Sequence, residues 1–108
     1  TYGYGLDSDG NYGTLQSAES VISIVTPNHI FVEPFDGKGG NSCDGDSGGP
    51  AVQTAVPLDF SPVVGIVGIV SSGSRDDCGE GDVTLYTNLQ NPDVIGFIKD
   101  AVPEVVVY

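Results

Sequence analysis

Cys43-Asp44-Gly45-Asp46-Ser47-Gly48-Gly49-Pro50 is the stretch on which the reading of the fold turns. Three chemistries compete for it. Asp44 and Asp46 are spaced to open a calcium loop, but Gly48 stands at the fifth position and Ala55 at the twelfth, so oxygen ligands are missing. Gly45-Asp46-Ser47-Gly48-Gly49 also matches the Gly-x-Ser-x-Gly elbow that exposes a serine between a strand and a helix. That elbow needs a helix directly after the serine, which Gly48-Gly49-Pro50 opposes, and no histidine lies downstream. The third reading is a serine nucleophile on a rigid loop. Gly45 lets the backbone turn so that the N–H groups of Gly45 and Ser47 point at one spot, as a tetrahedral oxyanion requires. Gly48 and Gly49 admit other backbone closely, and Cys43 ties the loop down from one side.

On either side of this octet the pattern is that of β structure. Residues 1–14 are rich in Gly, Asp, Ser and Tyr and read as an irregular loop. Within it Asp7-Ser8-Asp9-Gly10-Asn11 resembles the start of a calcium loop, but Tyr12 replaces the required glycine and Ala18 the closing glutamate, so it is read as a turn. Leu15 to Val25 holds the first strand or strands, Thr26-Pro27-Asn28 is a turn, and Ile30 to Val32 is a further strand. Pro34 to Ser47 is a long loop carrying Asp36-Gly37-Lys38-Gly39-Gly40-Asn41. Strands follow over Pro50 to Thr54 and Val63 to Val70, then a polar loop over Ser71 to Asp82, then a strand over Val83 to Thr87. Val94, Phe97, Ile98, Ala101 and Val102 share one helical face, with Asn91 as cap, Pro92 at the first helical position and Pro103 as stop. The apolar tail Val105 to Tyr108 reads as an edge strand or as continuing into further sequence.

The 108 residues suffice for one domain, residues 1–108, and are too few for two. Sixteen Gly, seven Pro and apolar residues dominated by Val and Ile exclude a helical bundle and point to an all-β sandwich or barrel. The net charge is −12, with Lys38, Arg75 and Lys99 the only basic residues, so phosphate neutralisation has no basis: neither nucleic acid nor an anionic membrane is expected as partner. No apolar run approaches a membrane span, and the start shows no signal peptide and no Met, so the chain reads as a mature or excised piece of a longer product. Two cysteines fit one disulfide made in an oxidising, extracellular compartment. With one histidine they complete no structural zinc set, so no metal and no other cofactor is expected.

The octet resembles the nucleophile motif of the chymotrypsin/trypsin-like serine endopeptidases, and the resemblance continues in order along nearly the whole chain. Gly3-Tyr4-Gly5 is similar to the Gly-Trp-Gly that opens the family's second barrel, and Leu15-Gln16 to a strand start there. Gly68-Ile69-Val70-Ser71-Ser72-Gly73 resembles the Gly-Ile-Val-Ser-Trp-Gly strand lining the substrate cleft. Cys78 matches the partner of the motif cysteine, Leu85-Tyr86-Thr87 a Val-Tyr-Thr strand, and Phe97-Ile98 the Trp-Ile of the C-terminal helix.

The resemblance implies a six-stranded antiparallel Greek-key β-barrel with a C-terminal helix, the second of the family's two barrels. It implies Ser47 as nucleophile toward a peptide or protein substrate, the Gly45 and Ser47 N–H groups as oxyanion hole, and a disulfide between Cys43 and Cys78. Asp46 then takes the role of the carboxylate that receives an amine on zymogen activation. Asn41 becomes the floor of the pocket for the residue before the scissile bond, Ser71 and Gly73 its cleft edge and Thr84 its constriction, which together favour small or medium uncharged side chains. The triad His and Asp belong to an N-terminal barrel that these residues do not include. His29, in Pro27-Asn28-His29-Ile30, does not match the family's Ala-Ala-His-Cys. Val32 and Ser72 stand where the family often has Cys and Trp. Without its partner barrel this chain is expected to be inactive and to associate with itself through an exposed apolar face. The alternative is a non-catalytic single-barrel binding module.

Overall fold

The computed structural model describes residues 1–34, 39–56, 58–59, 61–79 and 81–107. Asp36, Gly37 and Lys38 of the long loop, and Tyr108 of the tail, lie outside the described residues. Seven strands, β1 (Tyr2–Gly3), β2 (Gln16–Ser17), β3 (Ile22–Val25), β4 (His29–Val32), β5 (Pro50–Ala55), β6 (Val63–Gly73) and β7 (Thr84–Asn88), precede one helix, α1 (Pro92–Ala101). Five of them make an antiparallel sheet in the order β3-β4-β7-β6-β5, while β1 and β2 form a separate two-stranded ladder.

Strand alternation sets the inside. Along β7, Thr84, Tyr86 and Asn88 are buried and Leu85 and Thr87 less so; along β4, Ile30 and Val32 are the buried pair. With Val70 of β6 they surround Tyr86, which is 1% exposed. The phenol lies 3.1 Å from the buried Ser42 hydroxyl, which pairs its polar end. Gly68 makes this possible: a Cβ there would lie 2.9 Å from the Tyr86 Cβ.

The sheet is curled and open. Its edge strands β3 and β5 are not hydrogen-bonded to each other, and the gap between them leads to a cavity of about 620 Å³ lined by Ile22, Ile30, Val32, Val52 and Val67. The chain start joins β5 to the residue after β2: the Thr1 amine donates to the Ala18 carbonyl at 2.9 Å, and the Thr1 hydroxyl donates to the Pro50 carbonyl at 3.3 Å.

Some expectations shift. Residues 1–14 are not wholly irregular, because Tyr2 and Gly3 pair with Ser17 and Gln16. Strand β6 runs on to Gly73, and between Val70 and Ser72 its register against β7 slips, so Ser71 is the extra residue of a bulge. The tail Val105–Val107 joins no strand; the Val105 N–H closes a turn onto the Val102 carbonyl instead.

The helix begins and ends where its punctuation residues stand. The Asn91 side chain accepts from the Asp93 N–H at 2.9 Å, Pro92 opens the helix, and the Val102 N–H reaches the Ile98 carbonyl at 2.8 Å. Asp93 in the first turn and Lys99 in the last complement the helix dipole. None of its residues is buried, and Phe97 is 75% exposed. Polar contacts tie the helix start down: the Asn91 amide donates to the Pro27 carbonyl at 3.2 Å and to Asn28 Oδ1 at 2.9 Å. No helix among the described residues is long and apolar enough to cross a membrane.

Candidate active site

Ser47 lies in a turn built by its neighbours. The Asp46 N–H donates to the Cys43 carbonyl at 3.0 Å and the Gly49 N–H to the Asp46 carbonyl at 2.9 Å. Gly45 and Gly48 have φ of +89° and +83°, the left-handed region that other residues enter at a cost. Two bonds then join the turn to the cleft strand: Gly48 N–H to the Val70 carbonyl and Val70 N–H to the Gly49 carbonyl, each 2.9 Å. Ser47 is therefore held beside the bulge at Ser71. Among the described residues neither the Gly45 nor the Ser47 N–H has an acceptor.

Asp46 anchors the turn from behind. Its Oδ1 accepts from the Gly5 N–H at 2.8 Å and its Oδ2 from the Cys43 N–H at 2.9 Å. These are charge-assisted bonds, stronger than neutral ones. The two glycines of Gly3-Tyr4-Gly5 make room for that carboxylate, since a Cβ would lie 1.8 Å from Oδ1 at Gly3 and 2.6 Å from it at Gly5. The Thr1 amine is not on Asp46: it sits on the Ala18 carbonyl, and partial burial pulls its pKa down.

The Cys43–Cys78 disulfide is formed and links the Ser47 turn to the polar segment after β6. That segment carries Arg75 and Asp77, an exposed ion pair at 3.0 Å. The Gly79 N–H, and after it Arg75, hold the Asp77 carboxyl below its ordinary pKa.

A cavity of about 140 Å³ opens beside Ser47, walled by Gly45, Cys43, Cys78, Val70, Ser72, Gly73 and Thr84. Of the residues singled out in the sequence, it gathers Ser47, Gly45, Gly73, Thr84 and the disulfide. Ser71 is exposed on the bulge and does not line it. Asn41 lies behind the wall: Thr84 Oγ1 donates to its Oδ1, and its amide donates to the Asp82 carbonyl, both at 3.1 Å. Asn41 and Asp46 instead line a larger cavity of about 580 Å³, on which Ser47 does not open. His29 is at the start of β4, its ring 6.1 Å from that of Phe31, and lines neither cavity.

The residue that sequence reasoning missed is Asp82. It is 0% exposed and lines the cavity beside Ser47. A signal existed. Asp82 is in step with Thr84, Tyr86 and Asn88, the inward positions of β7, but an acidic residue at the end of a polar loop does not suggest burial. Among the described residues no cluster of His, Cys, Asp and Glu could hold a metal ion.

Comparison with known proteins identifies the family. The family model described as Trypsin matches residues 4–95. Glucanase inhibitor protein 3 of Phytophthora infestans is 44% identical over 52 residues, which cover 48% of this chain. The matched stretch spans only 19% of that relative's own length.

Proposed function

Since the chain belongs to the trypsin family, we propose that it is the C-terminal half of a serine endopeptidase that hydrolyses peptide bonds through an acyl-enzyme on Ser47. The observation that carries this is the Ser47 turn itself: an exposed hydroxyl on a loop clamped by Asp46, the disulfide and Val70, with the Gly45 and Ser47 N–H groups unengaged among the described residues. In the reaction Ser47 Oγ attacks the peptide carbonyl carbon as its proton passes to a histidine of an N-terminal barrel, oriented there by an Asp. The Gly45 and Ser47 N–H groups take the oxyanion. The C–N bond breaks as the imidazolium protonates the leaving amine, and water then releases the acyl group by the same route reversed. Asp46 is the carboxylate through which an activating amine acts on the turn. Gly73 and Thr84 form the substrate side of the cleft, with Asn41 behind Thr84 and Ser71 on the exposed bulge.

The finer fold belongs to the same reading. The Thr1 and Ala18 backbones already exchange two hydrogen bonds, so a strand continuing β1 upstream runs beside β2 and β3 on one flank and β5 on the other. It fills the gap and makes a six-stranded Greek-key barrel. The disulfide and the family together support a secreted protein.

A second reading is a non-catalytic single-barrel module. The named relative, a glucanase inhibitor protein, favours it. An organophosphonate probe separates the two. In the natural polypeptide that carries residues 1–108, the endopeptidase reading expects a mass adduct on Ser47 that Ser47→Ala abolishes. Residues 1–108 alone should stay unlabelled. An unlabelled natural polypeptide would leave the binding-module reading in place.

A further inference from the structure

The two donors assigned to the oxyanion are not held alike. A planar trans peptide points its carbonyl and its N–H in opposite directions, so fixing one fixes the other. The Ser47 N–H is fixed from inside the octet, because the Asp46 carbonyl of the same peptide unit accepts from the Gly49 N–H at 2.9 Å. The Asp44–Gly45 peptide has no such bond within the octet. Its carbonyl accepts instead from the Leu6 N–H, at 2.8 Å. The Gly45 N–H is therefore turned away from Leu6, and no residue from 5 to 12 walls the cavity beside Ser47.

One hydrogen bond is a weak hold on a glycine peptide, since Gly45 has no side chain to restrict its rotation. Turned over, the unit would present the Asp44 carbonyl where a donor is needed and repel an oxyanion. What lies against Gly45 decides whether it turns. A Cβ there would lie 3.1 Å from Gly5 Cα, and 3.4 and 3.5 Å from Cε1 and Cδ1 of Tyr12. The Tyr12 ring is thus packed beside Gly45. Its loop sets it there without help from the core. Asp7 Oδ1 accepts from the Asp9 and Asn11 N–H groups at 3.0 and 2.8 Å, the Asp7 N–H donates to the Asn11 carbonyl, and the Gly13 N–H to the Tyr4 carbonyl, both at 2.9 Å. Tyr12 itself is 61% exposed, so it buries little area for the fold.

We propose that Tyr12 is a positioning residue for the reaction at Ser47: its ring, with the Leu6 N–H, holds the Asp44–Gly45 peptide in the orientation that offers the Gly45 N–H to the oxyanion. This rests on the reading of Ser47 as nucleophile. Tyr12 walls no part of the cavity beside Ser47, so it acts through Gly45 and not on the substrate. The contact is made by ring carbons, so phenylalanine serves in its place and alanine does not. Loss of one oxyanion donor costs about 10²–10³ in rate; Tyr12→Ala leaves the Leu6 bond in place, so a smaller loss of about tenfold is expected.

The test uses the natural polypeptide carrying residues 1–108, with Tyr12→Ala and Tyr12→Phe, and two readouts. The first needs no activity: the one-bond N–H residual dipolar coupling of Gly45, measured by NMR, reports the direction of that N–H. Tyr12→Ala should shrink or shift it while the Gly48 coupling stays, and Tyr12→Phe should leave both as they were. The second is saturation labelling of Ser47 by the organophosphonate, which separates binding (KI) from the chemical step (kinact). Tyr12→Ala should lower kinact about tenfold with KI and the urea unfolding midpoint unchanged, and Tyr12→Phe should restore kinact. A Gly45 coupling or a kinact untouched by Tyr12→Ala, a loss that Tyr12→Phe shares, or a loss that comes with a lower urea midpoint overturns the proposal. If the Gly45 coupling depends on the ring but Ser47 is never labelled, the hold of Tyr12 on Gly45 stands and the endopeptidase reading falls.

Discussion

Gly3→Ala tests whether Asp46 positions the nucleophile turn. The backbone at Gly3 is in no unusual conformation, so alanine costs nothing there through φ; the cost comes from the new methyl, placed 1.8 Å from Asp46 Oδ1. The carboxylate has to move, and in moving it gives up hydrogen bonds from Gly5 and Cys43 that are 2.8 and 2.9 Å long. Hydrogen bonds to a charged group contribute about 1.5–3 kcal/mol each. Asp46 is only half-buried, so water replaces part of what is lost, and a net cost of roughly 2–4 kcal/mol is expected. Urea unfolding of the natural polypeptide, with and without Asp46→Ala, measures it as a double-mutant cycle. In the Asp46→Ala background the obstacle is gone, and Gly3→Ala should cost under about 1 kcal/mol. If Gly3→Ala costs the same in both backgrounds, the methyl harms something other than Asp46, and the argument that Gly3-Tyr4-Gly5 is shaped around that carboxylate fails.

Three further outcomes are expected. Replacing both Cys43 and Cys78 by Ala opens a loop with a sequence separation of 35 and should lower unfolding stability by about 4 kcal/mol on the chain-entropy model, read by chemical denaturation. Asn91→Ala removes the helix cap and the ties to Pro27 and Asn28, and should cost about 1 kcal/mol or slightly more, with loss of amide protection confined to residues 91–102. The depressed Asp77 pKa means that its bonds to Gly79 and Arg75 stabilise the turn fully above the ordinary carboxylate pKa and are lost as pH falls through the lowered value; the Gly79 amide shift should therefore titrate below the ordinary Asp range, and a midpoint above it would refute the bond.

Residues whose partners are local were legible in the sequence. Asn91, Pro92 and Pro103 punctuate a helix through local backbone chemistry, and the β-forming residues from Val83 to Thr87 mark a strand without any neighbour being known. The octet around Ser47 is partly of this kind, since three of the bonds that shape its turn fall between residues 43 and 49, while others reach Gly5, Leu6 and Val70. What escaped depends on partners far away in sequence. Tyr2–Gly3 becomes a strand because Gln16–Ser17 lies alongside, whereas Val105–Val107, richer in β-formers, pairs with no strand among the described residues. The slip at Ser71 likewise arises only when β6 meets β7.

The same distinction separates the two acidic residues of the site. Asp46 was found because a motif surrounds it, yet its environment explains itself: each oxygen has a backbone donor, one only three residues away, and the turn holds its shape without the Thr1 amine. An amine arriving in the cavity of about 580 Å³ that Asp46 lines would strengthen a turn already formed. Asp82 has no motif and was passed over, yet it is the carboxylate whose environment is incomplete. A buried charge is retained against its desolvation cost when something compensates it. For Asp82 Oδ2 the described residues supply no hydrogen-bond partner. The turn at Ser47 can thus be read from a motif, whereas the burial of Asp82 beside it comes about only through folding.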